Sequence, residues 1–203
     1  MQIDNQLLER IRAIPLPMAI AVSGFGGAGK SSFSARLGQH LGAAVISVDS
    51  FIKSRQLVSY DLWEWIDYDR LEHEVLTPLL SGCTSIEFGH FDWHANAVAS
   101  RTGFHDCKRV IVEGVGLLRP SLLRHFAFSI WIDCPIEEAI GRGKRRDREV
   151  HGNPQDESWD GIWRRNDEEF YTLNRPDRLV DYVFDNSITE ACSSSRESRP
   201  QPS

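Results

Sequence analysis

The stretch Gly24-Phe25-Gly26-Gly27-Ala28-Gly29-Lys30-Ser31, followed by Ser32, matches the pattern G-x-x-x-x-G-K-[ST]. Its meaning depends on what flanks it. Before it lies the apolar run Met18-Ala19-Ile20-Ala21-Val22, of a length that suits a buried parallel strand. After it, Phe33, Leu37 and Leu41 recur at helical spacing. The order is strand, glycine loop, helix. In that order the glycines let backbone N–H groups converge on one point, and the helix start adds unpaired N–H groups and a positive dipole end. Gly24 through Ser32 are therefore the expected triphosphate-binding residues. Lys30 is suited to β- and γ-phosphate oxygens, and the Ser31 hydroxyl to Mg2+. The motif alone leaves open whether the γ-phosphate passes to water, a metabolite or a protein.

Further apolar runs follow at intervals. Residues 44–48, 109–113, 128–132 and 180–184 read as strands, and the spacing predicts helices over 30–41, 69–80, 136–149 and 159–173. Apolar strands alternating with helices argue a parallel sheet covered on both faces. With right-handed crossovers, the economical solution is a three-layer α/β P-loop NTPase fold with a five-stranded parallel sheet. Residues 1–17 read as a short N-terminal helix, 18–186 as the main domain and 187–203 as a flexible tail. Within the domain, about 50–105 reads as a substrate-binding insertion and about 141–158 as a basic lid. Residues 85–105 carry a weak pattern, in which Ile86 and Phe88 suggest one short peripheral strand.

Composition excludes several classes. A net charge of -6 gives no whole-chain basic field for nucleic acid. No apolar run approaches the roughly 18 residues that span a bilayer, and the N-terminus lacks the order of a signal peptide. Cys83, Cys107, Cys134 and Cys192 show no metal-ligand spacing, which fits reduced thiols and a cytoplasmic location. No pattern sets an oligomeric state, so a homo-oligomer stays open.

In such a sheet, ligands bind beyond the carboxyl ends of the strands. Three acids fall there: Asp49, Glu113 and Asp133. Asp133 is expected to cap the following helix. Asp49, in Val48-Asp49-Ser50-Phe51, can accept or align the proton of an attacking hydroxyl and can help hold Mg2+ through water. Glu113 can bind Mg2+ water or a substrate hydroxyl. In the run Arg142-Gly143-Lys144-Arg145-Arg146-Asp147-Arg148, the arginines suit a lid that neutralises charge on a transferred group and excludes water. Two aromatic segments, Trp63 to Asp69 and His90 to His94, mix rings with acids, a combination able to stack a flat base and bond sugar hydroxyls. Packing of a small subdomain is the competing explanation for any one tryptophan.

Taken together, these pieces resemble the uridine kinase and phosphoribulokinase branch of the P-loop kinases, over roughly residues 18–186. The resemblance implies transfer of the γ-phosphate of ATP, with Mg2+, to a hydroxyl of a small molecule. The first expectation is the 5'-hydroxyl of a uridine- or cytidine-like nucleoside. It implies Asp49 as catalytic base, Lys30 and Ser31 in the phosphate loop, and Arg142 and Arg146 as the lid arginines. It places Phe91 and Trp93 in the acceptor pocket and, among Asp61, Glu64 and Asp67, favours Asp67 as the ribose-binding acid. Two departures blur the acceptor. The family's Tyr-Asp-Phe reads Phe91-Asp92-Trp93, and Asn96 stands where uridine kinases carry a base-reading histidine. Nicotinamide riboside, pantothenate and sugar-like acceptors stay open. An NTP-hydrolysing switch would share the loop but leave Asp49 and the basic lid without a role.

Overall fold

The computed structural model describes residues 2–53 and 61–188. In chain order the elements are α1 (Asn5–Arg12), β1 (Met18–Gly24), α2 (Lys30–Leu41) and β2 (Ala44–Ser47). Next come α3 (Tyr68–Leu71) and α4 (Thr77–Leu80), joined by a π-turn at Glu72–Leu76, then β3 (Ser85–Asp92) and β4 (Ala97–His105). The chain continues through β5 (Arg109–Glu113), α5 (Pro120–Leu123), β6 (Phe128–Asp133), α6 (Ile136–Glu149) and α7 (Asp156–Asp160). It ends in α8 (Ile162–Asn174), α9 (Pro176–Leu179) and β7 (Tyr182–Asp185).

Five strands form one sheet in the order β2-β5-β1-β6-β7, and every neighbouring pair is parallel. The period-two alternation of each strand sends side chains to opposite faces. Ala19, Ala21, Val110, Val112 and Trp131 point to one layer, where they meet Leu71, Leu76, Leu79 and Phe170. Met18, Ile20, Val22, Ile111 and Ile130 point to the other, against Leu7, Ile11, Phe33 and Leu37. This is the expected three-layer P-loop NTPase architecture. β1 is central, with β2 and β5 to one side and β6 and β7 to the other. The reversal of strand order opens a crevice beyond its carboxyl end, where the glycine loop emerges.

Three expectations change. Residues 85–105 form a full antiparallel hairpin rather than one short strand. β4 is almost wholly exposed while β3 buries Ile86, Phe88 and Phe91, so only half the hairpin carries an apolar signal. Asp133 does not cap α6. The N-cap of α6 is Pro135, with no side-chain bond, and Asp133 Oδ1 accepts from Trp131 Nε1 at 3.4 Å. The last strand begins at Tyr182 because α9 occupies the chain up to Leu179. The expected tail, apart from Ser187 and Ile188, lies outside the described residues, as do Cys192 and residues 54–60 of the insertion. Among the described residues no helix is long and apolar enough to cross a membrane.

Candidate active site

The phosphate loop leaves β1 at Gly24 and enters α2 at Lys30. Gly27 has φ +81°, and a Cβ there would lie 2.0 Å from the Ala139 carbonyl oxygen, so both backbone and space require glycine. Gly29, also left-handed at φ 100°, is the N-cap of α2. Ala28 is buried, and its carbonyl accepts from Asn186 Nδ2 at 2.7 Å. The Phe25 ring packs edge-on against Trp131. The Phe25 carbonyl accepts from Lys30 Nζ at 2.8 Å, which arches the loop over its own lysine. Ser31 Oγ donates to Glu113 Oε1 at 3.1 Å, pairing two oxygen donors of the kind that a hard divalent cation takes. Ser32 is exposed in the first turn of α2.

Lys30, Ser31, Asp49, Glu113 and Arg146 line one cavity of about 930 Å3. Lys30 is buried, and loss of solvent lowers its pKa, against the opposing pull of Asp167, Glu113 and Asp49. Glu113 is raised by burial and then by the neighbouring Asp49 charge, with Lys30 pulling it down. Asp49 keeps surface open to the cavity, yet the cleft walls strip enough solvent to raise its carboxyl pKa, with Lys30 and Arg146 opposing.

Asp49 sits on a 3-10 turn, Val48–Ser50, capped by Ser47 Oγ. The turn is clamped from behind. Arg70 Nη2 donates to the carbonyls of Ser50 and Gly89, at 2.5 and 2.6 Å. Ser50 Oγ shares a hydrogen bond of 3.0 Å with His90 Nδ1.

The segment expected to act as a lid begins within α6. Arg146 faces the cavity, with Nε and Nη2 both bonded to Asp147 Oδ1. Asp147 is buried, and its Oδ2 accepts from Trp159 Nε1 at 2.7 Å. Trp159, on α7, lies directly on the loop. A Cβ on Gly26 would come within 2.9 Å of its ring, and one on Gly143 within 2.3 Å. Arg142 is not among the cavity-lining residues. It pairs with Glu138 and donates to the Asn186 carbonyl at 2.9 Å.

Much of the remaining wall is aromatic: Trp63, Trp65, Trp93 and Trp163 line the cavity with Ile52, Val115 and Lys53. Trp63 and Trp65 meet edge-on at 5.4 Å. Arg119 fixes their loop, donating to the Leu62 carbonyl at 3.0 Å and to Glu64 Oε1 at 2.8 Å. Trp93 lines the cavity as expected. Phe91 is buried behind it, meeting its ring edge-on. Asp67 does not line the cavity, because it caps α3, accepting from Arg70 N at 3.0 Å. The other two candidate acids are engaged with arginines: Asp61 with Arg165 and Glu64 with Arg119.

The sequence reading missed Asp167, Trp159, Arg70 and Lys53 as parts or supports of this site. Asp167 lies in the acidic run Asp167-Glu168-Glu169, which reads as a solvated helix face. Only Phe170 three residues on hints that Asp167 turns inward.

No family model matches the chain. A uridine kinase from Pectobacterium atrosepticum is 29% identical over 154 residues, covering 68% of this chain and 71% of that protein. A structure from Bacillus stearothermophilus described as a possible uridine kinase superposes with a TM-score of 0.65 at 19% identity. That match covers 89% of this chain and 96% of the other. A Silicibacter protein described as a kinase of a fructose transport system gives the same TM-score of 0.65 at 20% identity, over 88% and 97% of the two chains. At such identities the two structural likenesses concern the fold. The chain thus shares fold and phosphate-loop motif with the P-loop kinases, and uridine kinases are among its relatives.

Proposed function

We propose that the protein is a Mg2+- and ATP-dependent small-molecule kinase that phosphorylates a hydroxyl group, with a nucleoside 5'-hydroxyl as the first candidate. The observation that carries the reading is the shared cavity. Lys30, Ser31, Asp49, Glu113 and Arg146 line it together with a set of indoles. A hydrolytic switch would have no use for the aromatic wall.

In this reading the loop amides and Lys30 bind the triphosphate. Ser31 and Glu113 would hold Mg2+, directly or through water, and the ion would neutralise phosphate charge when bound. Asp49 aligns the acceptor hydroxyl and takes its proton on a carboxylate oxygen; its raised pKa makes it a better base than an ordinary aspartate. Lys30 and Arg146 stabilise the charge that develops on the transferred phosphoryl group. Trp159 and the lid behind it exclude water from the loop.

The indole wall suits a flat base, which would stack on it. It also favours a second reading, a sugar-like acceptor whose apolar face lies on an indole. With Asp67 committed to its helix cap, neither reading relies on it to hold acceptor hydroxyls. The test is a product screen by mass with MgATP and a panel of nucleosides, nicotinamide riboside, pantothenate and sugars. Gain of one phosphate on one compound, lost in Asp49→Asn, supports the reading. ATP loss without acceptor product contradicts it.

A further inference from the structure

Asp167, on α8, lies behind the cavity wall yet reaches both halves of the site. Its Oδ2 accepts the Gly26 N–H at 2.7 Å, and its Oδ1 accepts the Trp63 indole N–H at 3.2 Å. Gly26 belongs to the phosphate loop and Trp63 to the acceptor wall. We propose that Asp167 is a positioning residue that links loop to wall, so that a nucleotide at the loop is felt at Trp63. The proposal rests on the kinase reading above, since it needs nucleotide at the loop.

Three features carry it. Both partners are held where small shifts are felt. Leu62 and Trp63 stand in left-handed backbone, φ 49° and 61°, which large side chains keep only when their surroundings hold them. Arg119 holds that turn at the Leu62 carbonyl, and Asp167 holds it at the indole. Gly26 is boxed in as well, with the Trp159 ring covering the place of a Cβ. The second feature is chemical. A carboxylate offers two oxygens to two N–H donors, whereas an asparagine would turn its NH2 toward one of them. The third is burial. Asp167 is 6% exposed and Trp63 4%, so neither bond competes with bulk water, and displacement of one oxygen is passed to the other. Beyond its two donors, the carboxylate faces Lys30 as its main charged neighbour, with Glu168 beside it on its own helix.

A carboxylate that merely satisfied two buried donors would stabilise the fold without passing a signal. The two roles separate in the indole 15N–1H resonance of Trp63, assigned with Trp63→Phe, during titration with Mg2+ and the non-hydrolysable analogue AMPPNP. In the wild type the resonance should move as AMPPNP binds. In Asp167→Asn, AMPPNP should still bind and that movement should be lost. An unmoved resonance in the saturated wild type, or the same movement in Asp167→Asn, would overturn the link. If Asp167→Asn does not fold, Trp63→Phe carries the test. It removes the indole N–H together with the five-membered ring that carries it, so the freed carboxylate should shift the Gly26 amide resonance without nucleotide, and an unmoved one would overturn the proposal. Absence of any AMPPNP binding to the wild type would instead remove the kinase reading, and this proposal with it.

Discussion

Lys30 meets three carboxylates, Asp167, Glu113 and Asp49, in a cleft that excludes most of its water. Burial makes each charge costly, so the lysine is pushed toward neutrality and the acids toward their protonated forms. A bound triphosphate would add the anionic partner that a buried ammonium lacks when those acids protonate. Two predictions belong to single residues. Asp49→Asn should lower kcat by about a hundred- to ten-thousand-fold, the usual range for losing a general base, while calorimetry finds MgATP affinity little changed. The second concerns Asp167, whose pKa burial raises to about 6. The folded state then holds its proton more tightly than the unfolded chain. Stability from this group is greatest below its unfolded pKa and is lost as pH rises through about 6. Urea unfolding of wild type and Asp167→Asn at pH 4 to 7 should show the difference shifting against the wild type by on the order of 3 kcal/mol, at 1.36 kcal/mol per unit. A pH-independent difference would contradict the shifted carboxyl.

The phosphate loop, the lid and the hairpin are the elements that shape the cleft. Gly27→Ala places a methyl against the Ala139 carbonyl in a left-handed backbone, so it should abolish nucleotide binding in calorimetry while the far-UV spectrum stays native. Trp159→Ala removes the ring that lies on Gly26 and Gly143 and orphans the buried Asp147 Oδ2. Hydrogen exchange should speed up in α7 and the phosphate loop while the protection of β1 and β5 is retained. Equal loss across the sheet would show that the lid is not a separable unit. The same elements differ in how legible they were. The central strands stood out because both faces of the sheet are covered, which makes residues 18–22 and 110–112 apolar without a break. β4 was invisible because its side chains face solvent. The sequence could place the loop and Asp49 in one cavity because their signals are local: glycines beside a lysine, an acid at a strand end. Asp67 caps its helix rather than lining the cavity, because an acid before a helix serves as a cap as readily as a ligand, and Asp167 was hidden because its partners lie 104 and 141 residues away in sequence.

On the scale of the whole molecule, two separate cores pin the sheet from either side, and the candidate catalytic groups gather where the strand order reverses. Ile20 faces one core from the central strand and is fully buried, so Ile20→Ala should cost about 2–5 kcal/mol in chemical unfolding, the range for such truncations. This geometry explains how distant residues, Gly26, Gly27, Lys30, Ser31, Asp49, Glu113 and Arg146, come to share one cavity with a wall of indoles. The central claim is that this cavity moves a phosphoryl group from ATP to a small hydroxyl compound. The most direct measurement is MgATP turnover against the acceptor panel with products read by mass, for the wild type and Asp49→Asn in parallel. The account predicts one compound heavier by a single phosphate with the wild type and none with the variant. ADP formed with no phosphorylated compound, at the same rate in both proteins, would contradict it.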